Sequence, residues 1–294
     1  MPGCYDIGAR RFVMESSAQT PFRTSHTGSA PPMTRRLLRA AAFAVAALAA
    51  LPAAAQYQGI VSLPPVGPGD SRLLLGGSAI IRPAYLGSDD RVWTVLPFID
   101  YANRNGFFVG TGSGIGYSFV NSPTTQVGLR LIPRFGRSES NSSDLRGMGD
   151  IGAGVEASAY WTQALSREWT VGVNLRGGDK GGEIDAGARR DFQLSPTTRM
   201  SVTGFVTAAN ERSQRIWSGV DDNQSIASGY PVYSPSAGLR NAQLALSANH
   251  FFAQRWVLVG GVSVGRLLGG AADSPLVRES TTWAAFTALG YQFF

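Results

Sequence analysis

Seven charged residues stand out by their placement. Arg130, Arg134, Arg176 and Arg189, with Glu156, Glu183 and Asp185, occupy alternate positions in segments whose intervening residues are mostly apolar. Such groups, turned to an interior, can do two things. They can ion-pair and hold a filled interior together, or line a pore and set its selectivity; ion pairing is the preferred reading. Paired carboxylates also serve glycoside hydrolysis, but nothing in the spacing selects a pair. Beyond residue 55 the chain has one histidine, His250, followed by Phe251-Phe252-Ala253-Gln254. A Ser-His-Asp nucleophile would have to use it, and no serine is marked as its partner. An interfacial histidine beside a turn explains it without chemistry. Asp221-Asp222 could meet calcium, but solvated loop is the simpler reading. The glycine-rich run from Gly110 to Gly116 lacks the spacing and the following helix of a nucleotide loop. No catalytic residue, cofactor or metal is therefore expected.

The composition indicates what must position these charges. Glycine is 36 of 294 residues, the hydrophobic share 44% and the charged share 16%, against roughly 25% charged in a typical soluble domain. After the N-terminal region no run approaches the roughly 18 apolar residues of a membrane helix. Disorder is excluded by the aromatics and the low charge, and collagen by the absence of a glycine period. An all-β protein remains.

Residues 33–55 read as a secretory signal peptide. Arg35, Arg36 and Arg39 form its basic start, Ala40–Leu51 its apolar middle, and Ala53-Ala54-Ala55 its small-residue end, with cleavage expected between Ala55 and Gln56. Met33 is then the expected start, and residues 1–32 a misassigned, disordered extension. The mature chain would be 56–294. It has no cysteine, because Cys4 lies in the extension, and it keeps 20 basic and 18 acidic residues. That balance gives no support to nucleic-acid binding.

The rest of the chain alternates. Val127, Leu129, Leu131 and Pro133 interleave with Gln126, Gly128, Arg130 and Arg134. Trp169, Val171, Val173 and Leu175 interleave with Thr170, Gly172, Asn174 and Arg176. Similar patterns cover 151–161, 183–189, 200–207 and 241–249. Period-two alternation of this kind marks strands with one apolar face, as in barrels that set lipid-facing against lumen-facing residues. Weaker strands are read at 72–85, 91–102, 107–119, 255–267 and 281–294. The glycines at 110, 112, 114 and 116 fall on one face of the 107–119 segment, presumed the inner one. Long polar connections fall at 137–149 and 210–236. This makes eleven strands, whereas bacterial barrels close with even numbers. The reading is therefore an antiparallel transmembrane barrel over 72–294 with twelve strands, ten being the alternative. The missing strand is sought at 213–221 or near 58–66, and 56–71 is read as a periplasmic segment. Trp93, Tyr101, Phe119, Trp161, Trp169, Trp217, Trp256 and Trp283 lie near strand ends, where interfacial girdles belong. The last strand ends in Tyr291-Gln292-Phe293-Phe294; Tyr291, Phe293 and Phe294 resemble the signal read by the barrel insertion machinery.

Several segments together resemble the MipA/OmpV family. They are Pro83-Ala84-Tyr85-Leu86-Gly87-Ser88, Leu96-Pro97-Phe98-Ile99, Ser228 to Pro235 followed by Gly238-Leu239, Asp273-Ser274-Pro275-Leu276-Val277, and the Tyr-x-Phe end. Their order spans roughly 72–294; the extra Phe294 and the leader 1–32 depart from the pattern. The resemblance implies a location in the Gram-negative outer membrane, in contact with lipid and lipopolysaccharide, with export by the cleaved signal peptide. It also implies a scaffold role between a lytic transglycosylase and a murein polymerase. It brings no catalytic motif. A small-solute channel is the alternative function.

Overall fold

A computed structural model describes residues 71–294. The signal peptide, its Ala55/Gln56 cleavage point, the 1–32 extension, the 58–66 segment and all but the last residue of 56–71 lie outside them. The described residues form a closed ring of twelve antiparallel strands, each bonded to its neighbour in sequence, with the last paired to the first. The strands are β1 (Arg72–Pro83), β2 (Arg91–Ala102), β3 (Phe107–Gly110), β4 (Gly114–Asn121), β5 (Thr125–Arg134) and β6 (Gly154–Ala164). They continue with β7 (Trp169–Gly178), β8 (Gly181–Ser195), β9 (Thr198–Ala209), β10 (Gly238–Phe252), β11 (Trp256–Leu267) and β12 (Thr281–Gln292). β12 closes on β1 from Leu74↔Gln292 to Ile81↔Ala285.

The count of twelve stands, but the missing strand lies elsewhere. Residues 107–119 are not one strand. They form the hairpin β3–β4, turning at 111–113, so the four glycines do not share a strand face. The turn needs Gly114, whose φ of +78° suits glycine and whose Cβ would lie 2.1 Å from the Leu131 carbonyl oxygen. Segment 213–221 is not a strand: helix α1 (Glu211–Ser218), capped by the Asn210 side chain, occupies most of it. Its Trp217 is buried, not part of a girdle. Two short helices follow, α2 (Asp222–Ser228) in the same β9–β10 connection and α3 (Gly269–Ala272) between β11 and β12. Asp221 uses its carboxylate to cap α2 at the Gln224 amide.

The alternation sorts in the sense opposite to a soluble protein. Leu129, Leu131, Val155, Leu175, Leu244 and Val262 are exposed on the outside. Arg134, Glu156, Ser158, Glu183, Thr207 and Ser263 are buried inside. A band of lipid-facing apolar side chains around a polar interior is the pattern of an outer-membrane barrel. Trp93, Phe119, Trp161, Trp169, Trp256 and Trp283 are exposed on the outer surface, consistent with aromatic girdles.

The ends differ. The connections at 103–106, 122–124, 165–168, 196–197 and 253–255 are short and lie at one end, together with Arg72 and Gln292. Those at 84–90, 135–153, 210–237 and 268–280 are long and lie at the other. We call these the turn end and the loop end. β3 meets β2 only over Asp100–Ala102. Above that, Thr111 bonds the Ile99 backbone, and its hydroxyl donates 2.6 Å to the Pro97 carbonyl. No described strand pairs with Arg91–Leu96 on the side away from β1. Pro97, lacking an N–H, sits at the foot of this open edge, where proline is tolerated.

Leu129 lies near the middle of β5 and is 59% exposed. Leu129→Arg is expected to destabilise the barrel in lipid vesicles by about 2–4 kcal/mol, read as a shift in the denaturant unfolding midpoint. Wild-type-like stability would contradict the lipid-facing assignment.

Candidate functional site

The lumen is built in two unequal halves. On the side of β1, β2, β11 and β12 it is filled by Leu74, Phe98, Val257, Val259, Ala284, Phe286 and Ala288. The side of β4 to β9 is polar and carries the charged residues picked out in the sequence.

Six of those seven gather towards the loop end, most of them in one cluster. Arg176 on β7 meets Glu156 at 3.4 Å, Asp185 at 2.8 Å, and Glu183. Arg134 on β5 reaches Glu156 at 3.9 Å and Asp179, in the β7–β8 turn, at 2.8 Å. Asp185 also accepts from Thr207 at 2.7 Å and Asn174 at 3.1 Å. Arg130 sits lower on β5, bonded to Ser158 at 3.3 Å and Asn174 at 3.1 Å, with its guanidinium 5.3 Å from the Tyr160 ring centroid. Gly116, opposite Arg130 on β4, leaves room for it: a Cβ there would lie 2.7 Å from Arg130 Cβ and 2.4 Å from the Phe108 ring. Arg189 stands apart from the cluster and pairs with Asp191 at 2.6 Å.

One member was missed in the sequence. Arg240 donates to both Glu183 oxygens, one at 2.6 Å, and Ser213 of α1 donates 2.8 Å to the same carboxylate. Alternation back from Ala242 places Arg240 on the lipid face. A β-bulge between Leu239 and Asn241 overrides that phase. Leu239 is exposed and Arg240 is only 3% exposed, because the extra residue turns the arginine inward. The one visible signal was an arginine at an outward position that lipid would penalise.

The long loops form a cap over this cluster. Ala84, Tyr85, Leu145, Met148, Val220 and Leu276 pack into a small core of their own. Arg278 donates 2.7 Å to Asp144 and 2.7 Å to the Tyr230 hydroxyl, and Tyr85 donates 3.3 Å to Asp144. Ser142 ties to Asp90 at 2.6 Å, Ser274 to the Ser218 carbonyl at 2.7 Å, and Tyr233 to the Gly270 carbonyl at 2.8 Å. Three segments that carry the family resemblance, at 83–88, 228–235 and 273–277, therefore meet in the cap. The Arg278 hydrogen bond holds the Asp144 carboxyl below the usual carboxylate range. Burial, reinforced by Asp144, pushes the Tyr85 hydroxyl up. Burial pulls Arg137, just after β5, down to about 10.

Below the cluster lies a cavity of about 420 Å³. It runs from Arg176, Asp185 and Arg240 past Arg130 and Tyr160 to Arg72, Tyr101 and Asn103 at the turn end. Arg72 pairs with Asp100 at 2.7 Å at its lower rim. His250 faces outward at the turn end, bonded through Nδ1 to the Thr198 hydroxyl at 2.9 Å and stacked on Phe252. Among the described residues no group of three His, Cys, Asp or Glu side chains is arranged to hold a metal. Tyr291 packs edge-on against Trp256 and Phe293, forming an aromatic patch beside the C-terminus with Phe293 and Phe294 exposed.

The profile of the family described as MltA-interacting protein MipA matches residues 75–293. No curated protein matches the chain. Among solved structures the chain is similar to the NanC porin, with 7% identity and a TM-score of 0.36 over 74% of this chain and 98% of that one. It is also similar to an outer membrane channel from Pseudomonas putida F1, with 12% identity and a TM-score of 0.37 over 82% of this chain and all of that one.

Two outcomes are expected. Glu183→Gln leaves Arg240 and Arg176 short of a buried counter-charge and should cost about 3 kcal/mol of unfolding free energy. Adding Arg240→Met should recover part of that loss, and additive losses would contradict the direct pairing. The depressed Asp144 carboxyl stabilises the folded cap fully above its unfolded-state pKa of about 3.9. That contribution is lost as pH falls through the lower folded-state value. Hydrogen exchange of the cap amides, corrected for intrinsic rates, should rise below about pH 4, and Asp144→Asn should reduce the pH dependence.

Proposed function

The chain belongs to the MltA-interacting protein MipA family, and from that premise we propose that it is a non-enzymatic outer-membrane barrel that scaffolds periplasmic murein-remodelling enzymes. The observation that carries this reading is the filled upper lumen. One side of the interior is apolar core, and the other is crossed near the loop end by the Arg134–Arg176–Arg240 ion cluster beneath a packed cap. A barrel built this way has its surfaces, rather than a through-path, to offer. Short turns face the periplasm and longer loops the exterior in such barrels, so the partner-facing surface is the turn end. Arg104, Arg167, Arg190, Arg199 and Arg255 stand around it. The partners are a lytic transglycosylase and a murein polymerase. Export by the signal peptide at 33–55 belongs to the same reading.

A second reading, a small-solute channel, is favoured by the polar cavity beneath the cluster. Here Arg130, Arg134, Glu156, Arg176, Glu183, Asp185 and Arg189 would be the selectivity residues rather than an ion-pair plug.

The test uses the exported protein extracted in detergent. Under the scaffold reading, planar bilayers show no stable unitary steps, and periplasmic lytic transglycosylase co-purifies with the heat-modifiable folded form but not with the unfolded chain. Stable unitary conductance that changes on Arg130→Gln or Arg176→Gln, with no enzyme captured, would overturn it in favour of the channel.

A further inference from the structure

We propose that the lumen cavity is a binding site for a small organic carboxylate, held by Arg130 and entered from the turn end. Five arginines line the cavity: Arg72, Arg130, Arg176, Arg189 and Arg240. Four have a carboxylate partner. Arg72 has Asp100, Arg176 has Asp185 and two glutamates, Arg189 has Asp191, and Arg240 has Glu183. Arg130 forms no ion pair among the described residues. Its Nε and Nη2 are spent on neutral oxygens, Ser158 Oγ at 3.3 Å and Asn174 Oδ1 at 3.1 Å. A guanidinium drawn out of water is stabilised far more by an ionised acceptor than by neutral ones. The acids that share the cavity, Asp100, Asp185 and Asp191, each pair with another arginine and make no contact of ion-pair length with Arg130. The site is thus built around one guanidinium that has no carboxylate partner of its own.

The rest of the cavity points to an organic anion rather than a bare inorganic one. Tyr160 lies beneath the guanidinium, and Phe108 meets Tyr160 edge-on with ring centroids 6.1 Å apart. Both rings line the cavity, as does Phe205. An apolar body seated on these rings would leave its carboxylate against Arg130. The volume, about 420 Å³, lies within the few-hundred-Å³ range of small-ligand pockets. The direction of entry follows from the closed upper lumen: the lining continues to Tyr101, Asn103 and Phe107 at the turn end, whereas the ion cluster and cap lie above. A ligand would arrive from the periplasmic side. This holds whether or not the turn end also docks an enzyme.

The experiment titrates sodium benzoate into the detergent-extracted protein, exported from the full chain and followed by calorimetry. The wild type should bind saturably and bind benzyl alcohol, the neutral analogue, at least tenfold more weakly, as expected for loss of a charge-assisted hydrogen bond. Arg130→Gln, checked for heat-modifiable folding, should lose at least that factor for benzoate, and Arg130→Lys should lose less. No saturable binding, equal binding of benzoate and benzyl alcohol, or unchanged binding in Arg130→Gln would each overturn the proposal. Displacement of benzoate by an equal concentration of chloride would mean a generic inorganic-anion site and would overturn the organic assignment. The comparison of the two wild-type probes keeps the proposal testable should Arg130→Gln fail to fold.

Discussion

The antiparallel seam between Leu74–Ile81 and Ala285–Gln292 is the interaction on which the rest depends. In hydrocarbon no water is available to a free backbone N–H or C=O, so a sheet survives there only if it has no open edge. Once β12 meets β1, the remaining features follow. The strand count must be even. The outer face must be apolar, which is why Leu129, Leu175 and Val262 are exposed. The polar half of each strand must then go inside, where its charges have only each other and a few hydroxyls and amides for company.

That confinement explains the two-sided lumen. Between β11, β12, β1 and β2 the inward residues include a cluster of seven apolar side chains that fill space. Between β5 and β10 they include three arginines and three carboxylates that interlock, with Glu183 shared by Arg176 and Arg240 and Glu156 facing Arg134 and Arg176. Buried ion pairs seldom add much net stability over well-packed apolar groups, but each member left alone would be costly. The cluster therefore acts as a set: α1 contributes Ser213 to it and the β7–β8 turn contributes Asp179, so loops and wall are tied through the same charges.

The wall was legible in the sequence because lipid on one side and polar lumen on the other impose a strict period of two. Strands β5, β7, β9 and β10 announced themselves that way, as did the inward direction of all seven charged residues. What escaped reading breaks the period. The turn at Thr111–Ser113 interrupts a run that alternates straight through it, so two strands looked like one. The bulge at Arg240 shifts the phase by one residue, and bulges carry no pattern of their own. Helix α1 reads as a candidate strand in sequence because an eight-residue segment is too short for helical periodicity to declare itself. The cap was legible only as motifs: Tyr85, Tyr230, Tyr233 and Leu276 were visible as family-like residues, but their mutual packing depends on contacts across more than a hundred positions of sequence.

The short β3–β4 hairpin carries a consequence for how deep the molecule sits. Because β3 stops at Gly110, the upper flank of β2 from Arg91 to Leu96 has no described strand beside it, and a bare sheet flank cannot be immersed in acyl chains. The waterline on this side must therefore pass at or below Pro97, among headgroups rather than tails. Trp93 and Trp283, exposed near the same height, are suited to that boundary. On the opposite side β8 and β9 pair through to Glu183 and Ala209, so the sheet there leaves no bare flank at that height. A wall of uneven height floats with a list, and the low sill at Pro97 acts as its draught mark.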